Sequence, residues 1–88
     1  MRYAVYVKCP NEEDFIWTED YYDSLKEAIN YIRGEVNYFT SGGTEFSILD
    51  REDEDFEMNF IYSKWTEVME KGTGKFITEV IRNLEEND

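Results

Sequence analysis

Six of the eight residues from Asp50 to Glu57 carry a carboxylate: Asp50, Glu52, Asp53, Glu54, Asp55 and Glu57. Carboxylates at this density can hold a hard cation, exchange protons with a substrate, or present a field to a basic partner. The cation reading rests on Asp53-x-Asp55-x-Glu57, since calcium takes oxygens from alternate positions of a loop. The loop grammar fails. Counted from Asp53, Met58 stands where a turn-forming glycine is needed, and Lys64 where a bidentate glutamate is needed. Acid–base catalysis requires burial or coupling that drives proton affinities apart, and nothing in the sequence marks one of these groups as buried. A second motif, Lys71, Gly72, Thr73, Gly74 and Lys75, has a superficial likeness to a phosphate-binding loop. Met69 replaces the first glycine of that pattern, and Phe76 follows the lysine in place of Ser or Thr. A glycine-rich connection between two helices, with Thr73 as a cap, is the expected structure there.

The field reading uses more of the residues. Side chains on one face of a strand are about 6.6–6.8 Å apart, and each DNA strand places a phosphate about every 3.4 Å. Carboxylates on strand and helix faces can therefore approximate a phosphate ladder. The candidates fall in two clusters: Glu12, Glu13, Asp14, Glu19, Asp20 and Asp23 in one, and Asp50, Glu52, Asp53, Glu54, Asp55 and Glu57 in the other. A folded sheet could bring both to one edge. Two blander roles stand beside this one. Asp20 and Asp23 suit the positive end of a following helix dipole, and the charge as a whole serves solubility.

Composition narrows the function classes. Twenty-one acidic against nine basic residues give a net charge of −12 over 88 residues. Nucleic acid and anionic membrane are poor partners for such a surface, and a positively charged protein is a good one. Two Trp, seven Tyr and six Phe argue for a folded domain, since disordered chains are poor in aromatic residues. For so small a core some rings are surplus, which leaves room for an exposed patch or a homodimer. Histidine is absent and Cys9 is the single cysteine, so Cys/His zinc sites, Cys-His dyads and Ser-His-Asp triads are excluded together. No cofactor is called for. With no internal disulfide and no stretch apolar enough for a signal peptide or membrane span, the expected location is the cytoplasm.

The elements that would position these residues follow from periodicity. Residues 2–9 alternate as a strand, with Tyr3, Val5, Val7 and Cys9 on one face and Arg2, Ala4, Tyr6 and Lys8 on the other. Pro10 and Asn11 stop it, and residues 12–14 form the turn to a short second strand at Phe15, Ile16 and Trp17. Ser24-Leu25-Lys26-Glu27 has the spacing of a capping box. A helix begins there, with Leu25, Ala28, Ile29, Ile32 and Val36 as its apolar stripe, and Gly34 is a candidate for its end. Residues 45–49 and 56–62 read as strands joined across the acidic run, with Phe46, Ile48, Phe56, Met58, Phe60 and Tyr62 on the core face. A short helical turn is expected from Ser63 to near Gly72, with Trp65, Val68 and Met69 inward. A last helix carries Phe76, Ile77, Val80, Ile81 and Leu84, and frays from about residue 85, where Glu85, Glu86 and Asp88 oppose the helix dipole. The sum is one small α+β domain of ββαββα order: a four-stranded antiparallel sheet with helices packed on one face.

Small size, strong acidity, the lack of catalytic motifs and abundant tyrosine together resemble the phage-encoded DNA-mimic proteins used in host takeover and anti-defence. A phage inhibitor of the nucleoid protein HU is the most similar in size and character. The resemblance implies a non-enzymatic inhibitor whose partner is a basic DNA-binding protein, an HU-type nucleoid protein first, or else a DNA-repair or defence enzyme. The alternative is an acidic regulatory adaptor or a divalent-cation-responsive interaction domain.

Overall fold

Residues 2–36, 40–63 and 68–86 are described by a computed structural model of the chain. The alternation at the N-terminus becomes β1 (Tyr3–Lys8), the inner strand of a hairpin with β2 (Ile16–Tyr22). Val5 is fully buried, and Tyr3 and Val7 pack against the same core. Ala4 points to the other face and is buried too, because its register partners Tyr21 and Leu49 are larger and flank it.

Ser24 caps α1 (Leu25–Glu35) as its spacing predicts: the Glu27 N–H donates to Ser24 Oγ at 3.1 Å. The Glu27 carboxylate reaches one residue further back, accepting the Asp23 N–H at 3.3 Å. Ala28, Ile29 and Ile32 are fully buried, with Leu25 and Val36 packed beside them. Gly34 does not end the helix, which runs on to Glu35.

The acidic run departs from expectation. Instead of a loop between strands, it is the hairpin itself: β3 (Glu45–Asp50), a turn of Arg51 and Glu52, and β4 (Asp53–Ile61). The register jumps from Leu49↔Glu57 to Asp50↔Asp53, so a bulge in β4 absorbs the surplus residues. Two carboxylates fold into the turn. Asp50 Oδ1 accepts the Glu52 N–H at 2.9 Å, and Asp53 Oδ1 accepts the Asp55 N–H at 3.1 Å. The polarity that reads as a loop is compatible with a strand because only one face must be apolar, and Phe56, Met58, Phe60 and Tyr62 all pack on the core as their alternation requires.

The sheet has five strands, not four. The helical turn expected around Met69 is replaced by β5 (Met69–Glu70), which pairs with Ile61 and Phe60 of β4. Residues 64–67, including Trp65, lie outside the described residues, while Val68 is buried as expected. The change follows from the glycines. Gly72 (φ 97°) and Gly74 (φ 71°) take up left-handed backbone, and the Glu70 N–H donates to the Lys75 carbonyl, so the segment turns tightly instead of continuing a helix. Thr73 serves this turn, accepting the Lys75 N–H and donating to Glu70, and does not cap a helix. Phe76 stands before α2 (Ile77–Glu86) and is exposed. Ile77, Val80 and Ile81 are buried, and α2 extends through Glu86, close to where fraying is expected from about residue 85, with Glu85 paired to Lys26 of α1 at 3.1 Å.

The order is thus ββαβββα, with strands arranged β2-β1-β3-β4-β5 and every neighbouring pair antiparallel. Val5, Phe46, Ile48 and Phe60 of the sheet form one core with the buried faces of α1 and α2. Both helices lie on that face. Among the described residues no helix covers the other face, which has register rows Tyr21–Ala4–Leu49–Glu57 and Trp17–Tyr6–Ser47–Asn59.

Candidate interaction surface

Tyr3 of β1 lies opposite both Tyr22 of β2 and Asp50 of β3, so the end of β2 and the β3–β4 turn share one end of the sheet. There Arg2, Asp23, Arg51 and Glu52 line a common basin. This brings one member of the first acidic cluster, Asp23, to the second. Glu12, Glu13 and Asp14 lie in the β1–β2 loop, at the opposite end, where Lys8 faces Glu45. Five residue steps of β1 separate the two ends, about 17 Å at the rise of a strand. The two clusters, which a folded sheet could have brought to one edge, are therefore not gathered there.

Glu19 and Asp20 take a third position. They belong to β2, whereas Asp23 stands directly before the Ser24 cap of α1, at the positive end of its dipole. A bulge sets Thr18, Glu19 and Asp20 against the single residue Val5, with Thr18 Oγ1 donating to the Val5 carbonyl at 3.0 Å. Glu19 sits at φ 69° and both acids are exposed. The charge of Asp20 is felt nearby: burial first, and then Asp20, push the Tyr22 hydroxyl up to about 12, and burial also raises its ring neighbour Tyr31.

Asp50 is withdrawn from the candidate surface. Its side chain is 3% exposed and is gripped by the Arg2 guanidinium, with Nε donating at 2.9 Å to Oδ1 and Nη2 at 2.7 Å to Oδ2. The hydrogen bonds from Arg2, strengthened by the one from the Glu52 N–H, hold its carboxyl below the usual range. The sequence hides this because the partner is 48 residues away. Glu52 remains exposed, with Arg2 Nε at 3.3 Å. Asp53, Glu54, Asp55 and Glu57 are exposed along β4. Among the described residues, no Lys or Arg pairs with Glu12, Glu13, Asp14, Glu19, Asp20, Asp53, Glu54, Asp55 or Glu57.

Several of the chain's basic groups are engaged elsewhere. Lys8 and Lys71 both pair with Glu45, and their hydrogen bonds, that of Lys71 first, lower its carboxyl below the ordinary value. Arg51 lies over the Tyr21 ring, its Cζ 4.4 Å from the centroid. Tyr21 in turn lies 5.0 Å from Trp17. These rings, with Tyr6 and Leu49, were not among the candidate residues, although the second face of the β1 alternation is the signal that would have found Tyr6. Among the described residues no group of three or more Asp, Glu or Cys is placed to hold a metal ion, and no helix is long and apolar enough to cross a membrane.

Fold and surface together define a small, strongly acidic α+β domain with a five-stranded antiparallel sheet, both helices on one face, and nine exposed carboxylates that no described Lys or Arg pairs. Comparison with protein-family models, with curated proteins and with solved structures gives no match.

Proposed function

We propose that this chain is a non-enzymatic inhibitor that offers its acidic surface, in place of DNA, to the DNA-binding site of a basic protein, with an HU-type nucleoid protein of a bacterial host the first candidate. One observation carries the reading. The carboxylates of Glu19, Asp20, Asp53, Glu54, Asp55 and Glu57 are exposed and, among the described residues, without an internal cation, so their field is available to an outside one. Asp53, Glu54, Asp55 and Glu57 fall within five consecutive residues of the bulged start of β4, so four carboxylates are concentrated on one short stretch beside the turn. Glu52 and Asp23 extend this surface around the end of the sheet. The cluster of Glu12, Glu13 and Asp14 is a separate face, and contributes to the long-range field more than to the contact.

The test is competition. A labelled DNA duplex bound to a purified HU-type protein should be released as the acidic chain is added, with less release at higher salt, and the chain alone should not change the signal of free duplex. Undiminished DNA binding in the presence of excess chain at low salt would overturn the proposal.

A further inference from the structure

The face of the sheet that no described helix covers carries a depression of about 360 Å3 whose lining includes Ala4, Tyr6, Tyr21, Leu49 and Glu54. Its floor is low because Ala4 stands between two larger neighbours in the same row. Its walls are two phenol rings and an apolar side chain, its rim has the Glu54 carboxylate, and Glu57 lies next to Leu49 across β3–β4. Aromatic faces beside carboxylates suit a cation that is flat and weakly hydrated, which describes guanidinium better than ammonium. The chain already illustrates the fit, since its own Arg51 lies over Tyr21.

We propose that this depression is a binding site for an arginine side chain of a basic partner, stacked on Tyr21 and Tyr6 and paired with Glu54, and that Arg51 is the internal occupant it displaces. Aromatic rows also stack nucleic-acid bases, but a chain of net charge −12 with Glu54 and Glu57 beside the rings repels the phosphates that come with them. A second copy of the chain would bring the same carboxylates together. The inference rests on the acidic-surface reading and adds an anchor to it, since aromatic and arginine contacts dominate binding energy at interfaces more than exposed charges do.

The experiment compares an oligo-arginine with an oligo-lysine of equal length, titrated into the full chain at low ionic strength and followed calorimetrically. Because an incoming guanidinium must displace Arg51, the wild type should prefer the arginine peptide only slightly, whereas Arg51→Ala should prefer it by about two- to fivefold, the size of one exposed cation–π contact. Arg51→Ala makes the chain more acidic and should tighten both peptides, but it should also raise the ratio between them, because it frees a ring that only guanidinium uses well. Tyr21→Leu should bring the ratio to about one while lysine binding persists; Tyr6→Leu substitutes for it if circular dichroism shows that the first variant is unfolded. Equal affinities in both the wild type and Arg51→Ala would overturn the arginine site and leave the acidic surface standing. Absence of binding by either peptide would overturn both.

Discussion

Neutralising Glu54, Asp55 and Glu57 should stabilise the protein, and the amount can be worked from its size and charge. Asp53 is left alone because it accepts a backbone N–H. The variant Glu54→Gln, Asp55→Asn, Glu57→Gln lowers the net charge from −12 to −9. In a body whose Cα radius of gyration is 12.4 Å, charges lie on the order of 17 Å apart, where two of them repel by about 0.24 kcal/mol before screening. Screening leaves about 0.03 kcal/mol at 0.15 M salt and about 0.14 at 0.01 M. Removing three charges deletes about 30 repelling pairs, so the folded state gains about 1 kcal/mol at 0.15 M and about 4 at 0.01 M. The unfolded chain, with a radius of about 29 Å, keeps under a fifth of the low-salt repulsion. Thermal melts by circular dichroism should therefore show Tm raised by roughly 4–8 °C at 0.15 M, and by more at low salt. A lowered Tm, or a rise that does not shrink with added salt, would mean that these carboxylates have stabilising partners and that the surface is not the unpaired field described.

Asp50→Asn should act in the opposite direction, because it weakens the grip of Arg2 on the buried carboxylate. The pH sign follows from the lowered carboxyl: its stabilisation is present above the ordinary carboxylate pKa and is lost as pH falls through the depressed value, so wild type and Asp50→Asn should converge in acid melts. Ser24→Ala removes the cap of α1 and should cost about 1 kcal/mol, read as a shifted denaturant midpoint with an unchanged slope. Phe60→Ala, at a fully buried position, should cost about 3–5 kcal/mol, a large share of the stability of a domain this size, and leave a substantial unfolded fraction at room temperature.

What could be read from the sequence was what local rules decide. Ser24 and Glu27 lie three residues apart, and the stripe from Leu25 to Val36 repeats at helical spacing, so α1 was legible almost to its last residue. The core face of β4 was equally legible, because Phe56, Met58 and Phe60 alternate whatever precedes them. The start of β4 was not, since polarity alone does not separate a loop from a strand whose outward side chains are acidic. β5 is two residues long and exists only because β4 has a pairing edge at Phe60 and Ile61, which is a tertiary fact. The candidate surface fared the same way. Exposure of Glu54, Asp55 and Glu57 followed from charge, whereas the burial of Asp50 depended on Arg2 at the other end of the chain. The parting of Glu12, Glu13 and Asp14 from Glu52 depended on hairpin register.

The claim that the acidic strand and turn are the recognition surface is tested most directly by association kinetics. Glu52→Gln, Asp53→Asn, Glu54→Gln, Asp55→Asn should be made together and the fold checked by circular dichroism. Association with an immobilised HU-type protein is then followed over a series of salt concentrations. Because steering depends on the summed field, the variant should associate more slowly than wild type and with a flatter salt dependence. An unchanged association rate and salt slope in the folded variant would contradict the account and move recognition to the separate face formed by Glu12, Glu13 and Asp14.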